Sequence, residues 1–182
     1  MRFFRELFTG FLLMVVLCSC SGTGGHASLP RMAEVVPGKI WRGGQPTAEG
    51  LDRLQKLGVK RIVKLNTSGL KAERKEAARR GIEVVHCPVS FYRQTLACPH
   101  PGVLSTAVAS LDAEEKTYVH CTHGQDRTGL VVGLYRTRCQ HQSPDTAYRE
   151  MVDCGFHPFL SGLQRAWNAG CKAGLPAGRS GA

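Results

Sequence analysis

Apolar residues recur along this chain in two alternating rhythms. Leu51, Leu54 and Leu57 are spaced three apart and predict a helix over 47–57, opened by Thr47 and closed by Gly58. Short apolar runs over 40–42, 61–65, 82–87 and 117–120 predict strands, the last of them central. Between them fall a charged surface helix over 70–80, closed by Gly81, and a helix over 103–111. A segment rich in turn residues, 88–101, separates these two helices. After the 117–120 strand come a buried helix over 128–139, a helix through Val152 with Ser143 as N-cap and Pro144 in its first turn, and a last helix over 159–169. Strands alternating with helices predict an α/β fold, a mostly parallel central sheet with helices on both faces. No internal repeat is visible.

The two ends do not share this rhythm. Arg2 and Arg5 precede an apolar run over 7–17, which is shorter than the about 20 residues of a membrane span and reads as an export signal. Leu17-Cys18-Ser19-Cys20 resembles a bacterial lipobox, which implies cleavage before Cys20 and a diacylglycerol on its sulfur. The alternative is an ordinary cleaved signal peptide. On the lipobox reading, 1–19 is the export signal, 20–30 a flexible Gly/Ser-rich tether, 31–173 the folded domain and 174–182 a flexible tail. The protein is then an exported lipoprotein of the bacterial cell envelope, held to a membrane by its lipid and facing the periplasm.

Charge narrows the partners. The whole chain carries 24 Lys and Arg against 14 Asp and Glu, a net +10. Without Arg2, Arg5 and Glu6 these become 22 and 13, a net +9. Such a domain favours anionic partners. No aromatic-basic platform or nucleic-acid reading motif accompanies the charge, so a phosphorylated small molecule or phosphoprotein is expected rather than nucleic acid. Cys87, Cys98, Cys121, Cys139, Cys154 and Cys171 would lie in a compartment that permits disulfides, and Cys139 with Cys154 could staple neighbouring helices.

The chemistry concentrates in His120-Cys121-Thr122-His123-Gly124-Gln125-Asp126-Arg127-Thr128-Gly129. A strand enters this loop and a helix leaves it, so the amides of Thr122, His123, Gly124, Gln125, Asp126 and Arg127 can line an anion nest at the helix N-terminus. Arg127 adds a planar fork that matches two phosphate oxygens. Cys121 would lie under the phosphorus, and its thiol, ordinarily titrating at about 8.5, is driven toward thiolate by the helix terminus and the guanidinium. Thr128 can donate its hydroxyl to the sulfur when that sulfur departs. Two other readings exist, a metal site using His120, Cys121 and His123, and a plain core thiol. Adjacent strand residues point to opposite faces, which weighs against the first, and the second leaves Gly124 and Arg127 without a role.

The decapeptide resembles the signature of the protein tyrosine phosphatase superfamily, His-Cys, five residues, then Arg-Ser/Thr-Gly. Trp41-Arg42-Gly43-Gly44-Gln45-Pro46 resembles the Tyr-Arg-Ser-Gly-Gln-Pro segment of the small atypical dual-specificity phosphatases. The likeness covers about 35–170 and implies a dual-specificity-like fold, no metal or other cofactor, and a two-step phosphocysteine mechanism. Arg42 could instead serve folding alone by pairing with a carboxylate.

The resemblance also exposes a gap. Such enzymes carry an aspartic acid on the loop after the third strand, and here 88–101 contains no Asp or Glu. Glu83, Asp112, Glu114 and Glu115 are expected at the opposite end of the sheet. Asp126 lies inside the phosphate loop, a place where some lipid-directed relatives carry Asp, and is the candidate general acid and base. Its alternative role is to orient the loop. His86, His100 and His123 are lesser candidates. Lys64 and Arg93 lie on segments that could border the pocket, which suits a ring bearing several phosphates, such as an inositol polyphosphate; phosphotyrosine, a good leaving group, is the other expectation. A module that binds phosphorylated ligands without turnover remains the alternative class.

Overall fold

The computed structural model describes residues 28–90 and 98–173. The export signal, the lipobox with Cys20, nearly all of the tether, Arg93 and the tail lie outside the described residues.

Five strands form one sheet in the order β1-β2-β5-β3-β4, where β1 is Ala33–Val36, β2 Ile40–Gly43, β3 Arg61–Lys64, β4 Glu83–His86 and β5 Thr117–His120. The last four are parallel to their neighbours, and only β1 pairs antiparallel, with β2. This is the mostly parallel α/β architecture expected, with β5 in the middle. The edge strand β1 is an addition that the sequence pattern did not announce.

Helices α1 (Ala48–Lys56) and α2 (Leu70–Ala78) cover one face. Leu51 and Leu54 of α1 and Ala77 of α2 pack there with Trp41, Ile62 and Tyr118. Helices α3 (Pro101–Leu111), α4 (Asp126–Arg138), α5 (Pro144–Asp153) and α6 (Ser161–Ala173) build the other layer. There Leu104, Leu130, Val131, Leu134, Met151 and Trp167 meet Ile40, Val63 and Val119 in the larger core. The two cores alternate along the four parallel strands, as a sheet buried on both faces requires.

Local signals set the boundaries. The Thr47 hydroxyl accepts the Gly50 N–H at the start of α1, and the Ser143 hydroxyl accepts the Thr146 N–H before Pro144 in α5. The chain runs outward from β2 through β3 to β4 over one face, then α3 crosses to the other face and returns to the central β5. That reversal leaves the C-terminal end of β5 as the opening where α/β sheets bind ligands. Cys121 is the next residue.

Two expectations about packing fail. The 70–80 helix is not simply a surface element, because Glu73 turns inward and is 6% exposed. Cys139 holds a free thiol, so the Cys139–Cys154 staple is not made.

The larger core is dense around α4, whose Leu130 is fully buried. Leu130→Ala is expected to lower unfolding free energy by about 2–5 kcal/mol in urea titration.

Candidate active site

Residues 121–125 curl from the end of β5 into α4, and a second segment holds the curl from the side. Gly124 has φ +77°, and a Cβ there would come within 2.4 Å of the Gly43 carbonyl carbon. Only glycine fits such an approach at such a dihedral. Gly43 is equally constrained, since a Cβ would stand 2.2 Å from the Tyr118 hydroxyl oxygen. The stretch 41–46 therefore presses its backbone directly onto the loop.

Hydrogen bonds fix the contact. Arg42, buried, donates from Nη2 to the Gly124 carbonyl at 3.1 Å, which gives the arginine a structural task in the loop. The Gln45 N–H donates to the Thr122 carbonyl at 3.2 Å. Asn66, just past β3, donates from Nδ2 to Gln45 Oε1 at 2.9 Å and to Thr122 Oγ1 at 3.2 Å. Arg127 Nη2 also donates to Thr122 Oγ1, at 3.3 Å, which draws the guanidinium across the loop toward Thr122. Asn66 was not singled out from the sequence, and no spacing could have paired it with Gln45.

At the floor, Cys121 is 3% exposed. Burial alone would push its thiol up, yet the thiol is held below its ordinary range. Burial opposes, and the hydroxyl and N–H of Thr128, the Arg127 guanidinium and the Gly124 N–H outweigh it. The Gly124 N–H donates to Sγ at 3.3 Å. Cys87 is the contrast, a buried thiol pushed up to about 11 by desolvation, which the Ser110 hydroxyl beside it does not offset. The loop thus brings together the predicted Cys121, Thr122, Gly124, Arg127 and Thr128, with His123 exposed at its rim.

Asp126 opens α4, and its Oδ1 accepts two bonds from His157, from the backbone N–H at 2.9 Å and from ring Nδ1 at 2.8 Å. The α5–α6 connection is thereby tied to the phosphate loop. It also packs on Gln125, because a Cβ on Gly155 would come within 2.6 Å of the Gln125 amide nitrogen. His157 was missed in the sequence, where nothing marks a lone histidine after a helix. Its ring lies 5.3 Å from that of Phe159, which is 72% exposed.

Other candidates stand elsewhere. His100 caps α3, its Nδ1 accepting the Gly102 N–H at 3.1 Å. His86 closes β4, where burial first and the charges of Arg74 and Lys64 next hold its ring below the ordinary histidine range. Glu83 and Glu115 both pair with Arg61 at the first residue of β3, the end of the sheet away from the loop. Lys64 corrects an expectation. It is fully buried, with Nζ 2.7 Å from Glu73 Oε2, and so does not border the pocket or meet a polyanion. Its position at an inward-facing site of β3 left burial with a partner as the only stable arrangement.

A Cys-x5-Arg loop at the carboxyl end of the central strand of a parallel sheet, braced by a Gly-Gly-Gln segment, defines a small atypical member of the protein tyrosine phosphatase superfamily. The chain belongs to the family described as DSP-PTPase phosphatase fused to NAD+ kinase, which matches it over residues 27–160. It is 30% identical over 119 residues to the dual specificity protein phosphatase TpbA of Pseudomonas aeruginosa, an alignment covering 64% of this chain and 51% of TpbA. The chain thus spans about half the length of that curated relative. Solved structures agree on the fold. P. aeruginosa TpbA in complex with pTyr superposes with a TM-score of 0.65 at 21% identity, covering 82% of this chain and 91% of that one. The core catalytic domain of the PP-IP phosphatase SIW14 from S. cerevisiae, in complex with citrate, gives 0.61 at 18% identity, covering 81% and 96%.

The lowered Cys121 thiol sets a pH dependence. Its thiolate persists to lower pH than that of an ordinary exposed thiol, so iodoacetate should label Cys121 faster than it labels a free cysteine in the same solution as pH falls below the ordinary thiol range. Cys87 should stay unlabelled over the same range, and inorganic phosphate should protect Cys121, as read by peptide mass spectrometry.

Proposed function

We propose that this chain is a cysteine-dependent phosphatase that hydrolyses phosphate monoesters through a phosphocysteine intermediate. The observation that carries the reading is the Cys121 sulfur, buried yet held toward thiolate by the Gly124 N–H, Thr128 and Arg127 at the N-terminus of α4.

In the first step the Cys121 Sγ attacks phosphorus while the amides of 122–127 and the Arg127 fork hold the equatorial oxygens. The P–O bond to the leaving group breaks, and its electron pair departs on oxygen, which takes up a proton. In the second step water attacks phosphorus, the S–P bond breaks, and the thiolate returns, stabilised by the Thr128 hydroxyl. Inorganic phosphate leaves.

Asp126 is the loop carboxylate available for proton transfer. Its Oδ1 already accepts both His157 bonds, so Oδ2 would carry the proton to the leaving oxygen and later receive one from water. Orientation of the α5–α6 connection is the competing role for the same side chain.

Phosphotyrosine-like esters and inositol polyphosphates are the proposed substrates. TpbA has been solved with pTyr, SIW14 is a PP-IP phosphatase, and this chain is strongly basic. The absence of Asp and Glu from 88–101 favours a second reading, a module that holds phosphorylated ligands without turnover. The export-signal pattern and the lipobox-like Leu17-Cys18-Ser19-Cys20 support a location in the bacterial cell envelope, tethered to a membrane.

One assay separates these readings. The purified chain is offered an aryl phosphate, an alkyl phosphate, a phosphoserine peptide and inositol hexakisphosphate, beside Cys121→Ser and Asp126→Asn. Turnover of the aryl ester, abolished in Cys121→Ser with phosphate binding retained, is expected; binding without turnover in the unaltered chain selects the second reading. Asp126→Asn should slow the alkyl ester about tenfold more than the aryl ester, whereas equal losses assign Asp126 to orientation.

A further inference from the structure

A buried charge cluster beneath the phosphate loop takes no part in the steps above. Lys64 ends β3 and His120 ends β5, and the parallel register sets them side by side. Both side chains leave the sheet on the face covered by α2, and both are fully buried. Glu73, from the first turn of α2, sits between them. Lys64 Nζ donates to Glu73 Oε2 at 2.7 Å, and His120 Nε2 lies 2.7 Å from Glu73 Oε1. The other ring nitrogen, Nδ1, lies 3.1 Å from the Cys121 carbonyl oxygen. The ring stacks on Tyr118 at 5.7 Å.

These partners dictate where the protons are. A carbonyl oxygen only accepts, so Nδ1 carries a hydrogen. An ionised carboxylate also only accepts, so Nε2 carries one too. Glu73 is ionised because Lys64 and His120 hold its carboxyl below the ordinary range against the opposing effect of burial. With a hydrogen on each His120 ring nitrogen, the cluster would enclose two cations and one anion one residue from the sulfur.

Stability alone does not explain the cluster. A buried ion pair is often no more stable than apolar side chains of the same volume, since desolvation offsets attraction. A loop that must hold an anionic sulfur gives the enclosed charge a use.

We propose that Glu73 is a positioning residue for the Cys121 thiolate: clamped by Lys64, its carboxylate keeps both His120 ring nitrogens protonated, so that a cationic ring donates to the Cys121 carbonyl beneath the nucleophile. This rests on the reading of Cys121 as nucleophile. Other ionisable groups act on the same cluster. His86 of β4 feels the charges of Lys64 and Glu73 and of Arg74 of α2, Arg42 of β2 bonds the loop from the opposite face of the sheet, and Arg127 lies above. Burial holds the Tyr118 hydroxyl well above its ordinary range, so it stays neutral throughout.

The test measures alkylation of Cys121 by iodoacetamide against pH in the full chain, by peptide mass spectrometry. The Lys64→Met/Glu73→Gln double variant removes both charges at similar length. Its midpoint should rise by about one pH unit, with alkylation about tenfold slower below the original midpoint, while Glu73→Asp with Lys64 intact recovers part of the shift. A folded double variant with the unaltered midpoint overturns the proposal. An ordinary thiol midpoint in the unaltered chain would instead overturn the nucleophile reading, so the two failures are distinct. If the double variant does not fold, nitrogen NMR of the unaltered chain decides: protons on both His120 ring nitrogens at neutral pH are expected, and one bare nitrogen overturns the proposal.

Discussion

A sulfur anion beneath the protein surface is stable only if donors replace the water it has lost. Cys121 meets that condition through the Gly124 N–H, the hydroxyl and N–H of Thr128 and the Arg127 guanidinium, which together outweigh the effect of burial. On the proposed reading the same donors would face a bound phosphate dianion. One arrangement of dipoles therefore serves ligand and nucleophile, and it is set before either charge arrives.

Holding those donors in place requires the rest of the domain. The loop's backbone touches that of 41–46 so closely that Gly124 lacks room for a methyl group, and Gly43 lacks it because the Tyr118 hydroxyl lies against it. Arg42 and Asn66 complete the brace from β2 and from the end of β3. From the far side the Asp126–His157 contacts tie the loop to the connection between α5 and α6. Strands on either side of β5 and the helices packed against α4 thus converge on a handful of peptide groups.

Much of this was legible in the sequence, for identifiable reasons. The strands over 61–64 and 117–120 carry adjacent apolar residues, Ile62-Val63 and Tyr118-Val119, because both faces of a parallel sheet are covered. The Ser143-Pro144 start of α5 was legible because a cap and a fixed φ are local chemistry. Cys121, Arg127 and Thr128 were legible because the loop joins consecutive residues. What escaped depends on partners distant along the chain. Lys64 looked like a pocket cation because its burial needs Glu73 on another helix and shares the site with His120 on another strand. The bond from Arg42 escaped because its acceptor, the Gly124 carbonyl, is a backbone atom that no composition reveals. The edge strand Ala33–Val36 is short and only half buried, so its alternation is weak.

The account stands on a covalent bond between Cys121 and phosphorus. Rapid acid quench of the chain during turnover of an aryl phosphate, followed by peptide mass spectrometry, tests it directly. The account requires a phosphoryl group on the peptide bearing Cys121, formed before inorganic phosphate is released and absent in Cys121→Ser. Release of phosphate at an undiminished rate by Cys121→Ser, with no adduct on the unaltered chain at any quench time, contradicts it.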